Sequence, residues 1–354
     1  MVGSVLMERM RAEGDFNNLP GFIFFSTSDV GGQGPVEADG PLENAKSIDS
    51  LKKCGAIVTC QGGAWTSDMY PKMKAAGWNG IWIDAASTLR MEENSIIVLD
   101  PINKGAILSA YKGGFRTFVG GNCTVSLMLM ACQGLFKNNL VEWMWSATYQ
   151  AASGAGAAHM QELIRQMGVV SNGINLSDSA LAIDRLVTKT IRSDEFPKQN
   201  FKAPLACSLI PWIDQKFSEG QTREEWKSSA EGNKILERNS CPIPIDGLCV
   251  RVGAMRCHSQ ALLIKLTKDI PLAEITEIIA TANEWVKVIP NEMAETVYHL
   301  TPAFISGKLD VAIGRIHKAK MGPQYLSAFT VGDQLLWGAA EPLRRTLNIL
   351  FELV

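Results

Sequence analysis

Cys123 stands where a strand-like run gives way to a helix-like one. The stretch from Phe115 to Ala131 reads FRTFVGGNCTVSLMLMA. Phe115, Thr117, Phe118 and Val119 suit a strand, Gly120-Gly121 a tight turn, and Thr124 to Met130 a helix. A cysteine at that junction, beside Asn122, meets the positive end of the helix dipole and backbone N–H groups that lack intrahelical partners. Both favour the thiolate, the nucleophilic form of the side chain. The same N–H groups would stabilise an oxyanion formed when the sulfur attacks a carbonyl. The competing reading is a buried structural cysteine behind a Gly-Gly turn, since cysteine is among the most buried residue types.

Other polar residues punctuate the ends of apolar runs. Val141–Gln150 reads as a strand ending at Gln150 and leads into AASGAGAAHM, a small-residue turn that opens a helix. Gly154 and Gly156 there permit close backbone approach to a flat or anionic group; a plain flexible loop is the alternative. Gln221–Ile235 reads as a helix with Glu224 and Lys227 on one face, a spacing that more often makes a solvated ion pair. Gly247–His258 alternates as a strand. Arg251 and His258 have opposite parity there, so a bulge or strand end must bring them together. On pattern alone His258 is as readily a hydrogen-bonded structural histidine.

The elements needed to position these residues are those of an α/β protein. Residues 1–13 have helical spacing. They precede strand-like runs at Gly21–Thr27, Gly55–Cys60, Gly80–Asp84 and Ser95–Asp100, with helix-compatible segments such as Tyr70–Ala76 between some of them. Short β-rich runs separated by helices and glycine turns argue for a parallel, doubly wound sheet, with ligands at its carboxyl end. Gln61-Gly62-Gly63 and Thr27-Ser28 each follow such a strand. Hydroxyls at the latter suit an adenosine ribose or its 2′-phosphate, although turn-forming residues after strands are common without a ligand. Leu272–Val288 reads as an amphipathic helix, Val311–Ile316 as a strand and Thr330–Leu350 as a returning helix.

With 354 residues, two domains are expected. A net charge of −2 and no long basic run argue against nucleic acid or an anionic membrane as main partner. The eight cysteines show no framework spacing and read as free thiols of a reducing compartment, so a cytoplasmic location is expected. No CxxC pair or histidine cluster suggests a metal. No apolar run is long enough to span a bilayer.

GGNCTVSLMLM, ATYQAASGAGA, REEWK, DGLCVRVGAMRCHSQ and FTVGDQLLWGAAEPLRR, in that order, resemble signature stretches of the aspartate-semialdehyde dehydrogenase family, in its Gram-negative form. The likeness covers nearly the whole chain. It implies a Rossmann-like dinucleotide-binding domain with a truncated first strand, at 1–121. An α+β catalytic and dimerisation domain would follow at 122–333, and a C-terminal helix returning to the first domain at 334–354. The implied reaction is NADPH-dependent reductive dephosphorylation of L-aspartyl 4-phosphate to L-aspartate 4-semialdehyde through a Cys123 thioester. It would serve lysine, threonine, methionine and diaminopimelate biosynthesis.

By the same resemblance His258 is the acid/base, and Gln150 orients the intermediate beside the sulfur. Arg251 grips the substrate α-carboxylate and Glu224 receives its α-ammonium group. Arg90, Asn122 and Lys227 form the phosphate pocket. For NADP, Thr27 and Ser28 correspond to the 2′-phosphate contact and Gln61 to an adenosine-side contact. Ser153, Gly154, Ala155, Gly156 and Ala157 form the turn beside the nicotinamide, and Gln334 a further contact. Of the Gly-rich loop only Met1, Val2 and Gly3 stand in this sequence, and the expectation is a natural start about ten residues upstream, enough for a strand of roughly 5–6 residues and a loop. A homodimer is implied. The alternative is a non-catalytic dimeric binding or assembly module of the same fold that has lost its dinucleotide loop.

Overall fold

The computed structural model describes residues 1–19 and 21–352. Its chain separates into two compact units. The N-terminal unit comprises Val2–Asn122, Lys234–Leu236 and the stretch from Gly338 onward; the central unit comprises Met1, Cys123–Asn233 and Glu237–Trp337.

The N-terminal unit begins with α1 (Val2–Ala12) and α2 (Asp15–Asn18), then β1 (Phe25–Ser26), β2 (Glu43–Asn44) and α3 (Ile48–Leu51). There follow β3 (Ala56–Thr59), α4 (Gly63–Ala75), β4 (Ile81–Asp84), β5 (Ser95–Val98), α5 (Asp100–Lys112) and β6 (Thr117–Gly120). The last four strands form an all-parallel sheet in the order β3-β4-β6-β5. All four residues of β4 and of β6 are buried, as expected of strands covered on both faces. Trp82 on β4 is stacked on Trp65 at 5.4 Å and meets Tyr70 and Trp78 edge-on at 5.2 and 6.3 Å, giving this unit an aromatic core. Only Phe25–Ser26 of the expected strand Gly21–Thr27 is paired, and it pairs with β2 rather than with the main sheet. Ser26 turns the chain immediately afterwards, its Oγ accepting the N–H groups of Ser28 and Asp29 at 3.2 and 2.9 Å.

The central unit contains α6 (Cys123–Lys137), β7 (Val141–Gln150), α7 (Ala157–Ser171), α8 (Ala180–Ile191), β8 (Leu209–Ile210), all but the last two residues of α9 (Arg223–Ile235), β9 (Ile245–Val252) and β10 (His258–Leu266). These are followed by α10 (Leu272–Ala280), β11 (Val286–Val288), α11 (Met293–His299), α12 (Pro302–Ile305), β12 (Val311–Lys318) and β13 (Tyr325–Gly332). Seven strands make one mixed sheet in the order β11-β12-β13-β10-β7-β9-β8. One face is covered by α6, most of whose residues are buried, with α10 beside it on β11 and β12. A Cβ on Gly134 would overlap the carbonyl oxygen of Ile278, so a side chain there would force α6 and α10 apart. On the opposite face Trp145, Tyr149 and Leu248 remain about two-fifths exposed.

The chain ends in α13 (Glu341–Phe351), part of the N-terminal unit. It packs on β4, β5 and β6. Arg344 binds Asp15 at 2.9 and 3.0 Å, and Arg345 binds Asp100 at 2.9 and 3.0 Å.

Three expected boundaries are corrected. Thr330–Leu350 is not one helix: Thr330 to Gly332 complete β13, and a π-helical turn at Leu336–Ala340 precedes α13. The β-forming run Phe329-Thr330-Val331 pairs with both β10 and β12, and that pairing overrides a helical continuation. Leu272–Val288 divides into α10 and β11, because the Val286–Val288 segment finds a parallel partner in β12. Gly247–His258 is not one strand either. β9 stops at Val252, and His258 opens the next strand.

Candidate active site

Three strand ends converge in the central unit. Gln150 is the last residue of β7 and lies in register with Arg251 on the parallel strand β9. On its other side Tyr149 lies opposite Ser259 of antiparallel β10, which brings His258 beside Gln150. The parity problem posed by the sequence is solved by sheet order, since Arg251 and His258 flank one strand from two different neighbours. All three side chains are buried, at 1%, 7% and 1% exposure for Gln150, Arg251 and His258.

Cys123, partly exposed, is the first residue of α6. The strand–turn–helix expected around it is present, with β6 ending at Gly120. Its neighbour is fixed from the sheet: Gln260 donates to the Thr124 carbonyl at 2.9 Å and accepts from the Ser146 hydroxyl at 2.9 Å. Gln260 was not singled out from the sequence. Its position two residues after His258, on the same face of β10, is the signal that could have found it.

His258 is held by one defined bond. The Ala151 N–H donates to Nδ1 at 3.0 Å, so in the neutral ring the proton sits on Nε2. Nε2 is buried and finds no hydrogen-bond partner among the described residues. Burial, and secondarily the charge of Arg251, push the His258 pKa down to about 3, with Glu224 opposing. Arg251 donates from Nη1 to the Ala151 carbonyl at 2.7 Å. Burial lowers its pKa, and the charges of Cys123 and Glu224 act in the opposite sense, so a Cys123 thiolate and this guanidinium favour each other. The turn at Ala152–Ala155 closes over both side chains. A Cβ on Gly154 would stand 3.0 Å from Arg251 Nη1 and from His258 Nε2 and Cε1.

Helix α9 supplies the remaining charges. Gln150 donates to Glu224 Oε1 at 3.4 Å and to Thr148 Oγ1 at 3.1 Å. Lys227 Nζ bridges Glu224 Oε2 at 2.9 Å and Asp214 Oδ2 at 2.8 Å. Burial alone would depress the Lys227 pKa, but the two carboxylates outweigh it and raise it. Asp214, conversely, is held below the usual carboxylate range: burial pushes it up, and Lys227 more than compensates. Asp214 was not singled out from the sequence. It lies on a loop with φ of 69°, thirteen residues from Lys227, and no spacing rule links them.

In the N-terminal unit Arg90 follows β4, donating to the carbonyls of Gly120 and Gly121 at 2.7 and 3.1 Å, next to Asn122. Thr27 Oγ1 reaches Gln61 Oε1 at 3.4 Å, so the two strand-end turns singled out as nucleotide contacts are adjacent. Gly62, at φ 93°, precedes α4, which begins without a side-chain cap. In the central unit Gln334 donates to the Ser153 hydroxyl at 2.6 Å and accepts from the Cys257 N–H at 3.4 Å. Met1 precedes α1, and Val2 is its first residue. Ala155, Gly156 and Ala157 complete the turn into α7, Gly156 at φ 105°. No group of three or more metal-ligating side chains occurs among the described residues. No helix among them is long and apolar enough to cross a membrane.

Residues 1–110 match the semialdehyde dehydrogenase NAD-binding domain, and residues 132–337 match the semialdehyde dehydrogenase dimerisation domain. The structure aligns with an aspartate semialdehyde dehydrogenase from Francisella tularensis at 48% identity and a TM-score of 0.96, covering 99% of this chain and 97% of that one. The chain belongs to the aspartate-semialdehyde dehydrogenase family. Membership makes it an oxidoreductase with a Rossmann-like nucleotide-binding domain and a dimerisation domain. The fold extends to distant members of the family. Aspartate semialdehyde dehydrogenase II of Vibrio cholerae, solved in complex with ASA, is 21% identical with a TM-score of 0.79, over 99% of this chain and 95% of that one. The Candida albicans enzyme, solved with NADP, is 13% identical with a TM-score of 0.61, over 92% and 89%.

Proposed function

We propose that the protein interconverts L-aspartyl 4-phosphate and L-aspartate 4-semialdehyde, using NADP(H) and a covalent thioester on Cys123. The observation that carries this reading is the convergence of Gln150, Arg251 and His258 at three strand ends, with Arg251 charge-coupled to the sulfur at the start of α6.

In the reductive direction Cys123 Sγ attacks the acyl carbon, the C–O bond to phosphate breaks, and a thioester remains. The dipole of α6 and the Arg251 charge favour the attacking thiolate. Arg251, a planar fork, suits the substrate α-carboxylate, and Glu224 suits its α-ammonium group. Gln150, already bonded to Glu224, orients the acyl group. Lys227, Arg90 and Asn122 each offer a positive or donor group of the kind a leaving phosphate needs. His258, neutral with its proton on Nε2, is set to donate a hydrogen bond to the oxygen of the hemithioacetal that a hydride added to the thioester carbon would leave. That is the donor half of the acid/base role expected of it. Breaking the hemithioacetal C–S bond then returns the Cys123 thiolate and releases the aldehyde.

The residues fit a phosphorylated dinucleotide. Thr27 and Ser28 offer hydroxyls and no carboxylate to a 2′-phosphate, Gln61 lies beside Thr27, and the uncapped start of α4 presents free N–H groups. Ser153 to Ala157 and Gln334 are assigned to the nicotinamide side. NADP supplies or accepts the hydride when bound. The dimerisation-domain match and the exposed aromatic face of the seven-stranded sheet support a homodimer. The biosynthetic role in lysine, threonine, methionine and diaminopimelate supply and a cytoplasmic location follow from this reading. We propose the functional division at 1–121, 122–333 and 334–354.

The test is phosphate-dependent reduction of NADP⁺ by purified protein with L-aspartate 4-semialdehyde. Turnover that requires phosphate and disappears in Cys123→Ala supports the reading. No turnover in the parent protein, or retained turnover in Cys123→Ala, refutes it.

A further inference from the structure

Glu225 follows Glu224 on α9, points elsewhere, and is buried at 5% exposure. Its Oε2 accepts the Thr222 N–H at 2.7 Å while Thr222 Oγ1 accepts the Glu225 N–H at 3.3 Å. That is a reciprocal capping box at the start of α9. In an ordinary capping box the other carboxylate oxygen faces water. Here Oε1 accepts the Cys249 N–H at 3.1 Å, reaching across to β9.

The need for that bond lies in the sheet. On its outer side β9 is paired by β8 only at Arg251 and Val252. Cys249 shares the parity of Arg251, so its N–H points to the same side, beyond the end of β8, where no strand receives it. A buried amide without an acceptor is costly, and Glu225 provides the acceptor. One carboxylate therefore ties the first turn of α9, which carries Glu224 and Lys227, to the strand that carries Arg251 two residues further on.

We infer that Glu225 is a positioning residue that sets the spacing between Glu224 on α9 and Arg251 on β9, and with it recognition of the α-amino and α-carboxylate groups of the substrate. This rests on the substrate roles proposed above for Glu224 and Arg251. Cys123 and its oxyanion donors lie on other elements, so loosening the tie weakens binding of the amino-acid end and leaves sulfur reactivity in place.

The experiment compares the parent protein with Glu225→Gln, Glu225→Asp and Thr222→Ala. A glutamine cannot accept both amides, and an aspartate is a methylene too short to reach both. Thr222→Ala removes the hydroxyl cap and keeps the tie to Cys249. In both Glu225 variants the KM for L-aspartate 4-semialdehyde rises about tenfold or more, with kcat changed less and the KM for NADP⁺ unchanged. The semialdehyde concentration that halves the rate of Cys123 alkylation by iodoacetamide rises in parallel, while the unprotected alkylation rate stays at the parent value. Thr222→Ala lowers the melting temperature with the semialdehyde KM unchanged.

An unchanged KM and protection constant in both Glu225 variants overturn the inference. So does a KM rise in Thr222→Ala equal to theirs, which would make the effect one of helix stability alone, and so does an altered unprotected alkylation rate. If a Glu225 variant does not fold, the alkylation-protection shift in the other decides. Failure of the parent protein to turn over the semialdehyde refutes the proposed reaction instead, and is read separately.

Discussion

The Ala151 N–H and His258 Nδ1 are 3.0 Å apart and joined by a hydrogen bond that fixes which ring nitrogen carries the proton. Because Nδ1 accepts from an amide, protonating the ring costs that bond as well as the burial of a charge beside Arg251. The folded-state pKa, about 3, lies below the ordinary value of 6.5. The unfolded chain therefore binds more protons between those limits. Stability from this residue is complete above about pH 6.5 and declines toward pH 3, by about 1.4 kcal/mol per pH unit. His258→Gln is expected to flatten this slope, with the loss between pH 7 and pH 5 reduced by about 2 kcal/mol in urea unfolding. A parent protein whose stability is level over that range, or a variant with the parent slope, contradicts the assignment.

Gly154→Ala places a methyl group 3.0 Å from both the Arg251 and His258 side chains. Each must give by a few tenths of an ångström, and a misplaced catalytic geometry costs on the order of 10²-fold in rate. The expected result is a fall in kcat/KM of about that size with an unchanged melting temperature, since Gly154 itself is solvent-exposed. Steady-state kinetics alongside thermal unfolding check it.

Lys227→Met removes the cation between Glu224 and Asp214. The KM for phosphate is expected to rise at least about tenfold. Stability should fall by about 3 kcal/mol, because a buried ion pair loses its cation. Adding Glu224→Gln to that variant recovers much of the stability and none of the phosphate affinity, which separates the two roles.

Thr27→Asp sets a carboxylate where a 2′-phosphate is proposed to lie. The NADP⁺ to NAD⁺ preference, measured as the ratio of kcat/KM values, should fall by about 10- to 100-fold through like-charge repulsion. An unchanged ratio would move the 2′-phosphate contact elsewhere.

The nucleophile's setting was legible because a Gly-Gly turn between a β-rich and a helix-rich run has a local signature, and Cys123 does open α6. Val141–Gln150 was legible for the same reason: its ends coincide with a change from alternation to small residues. The approach of Arg251 to His258 was not, because it depends on β7 lying between β9 and β10, a long-range pairing that no window of sequence encodes. Asp214 and Glu225 escaped likewise. Each acts through a partner fixed by tertiary packing, Lys227 in one case and the amide of Cys249 in the other. The division at Val252 was hidden by strand-like residues continuing past the point where the ladders of β9 with β7 and β8 end. Residues 330–332 were misassigned to a helix because the good helix formers after them outweighed a strand end held only by its neighbours.

Trp65, Trp78 and Trp82 are packed against one another in the N-terminal unit, whereas Trp145 on the central sheet is 42% exposed. The clustered indoles are shielded from iodide in every state of the native protein, whereas Trp145 is shielded only where a second copy covers its face of the sheet. Iodide quenching across a dilution series therefore reports dissociation of the proposed dimer, without any label or engineered residue.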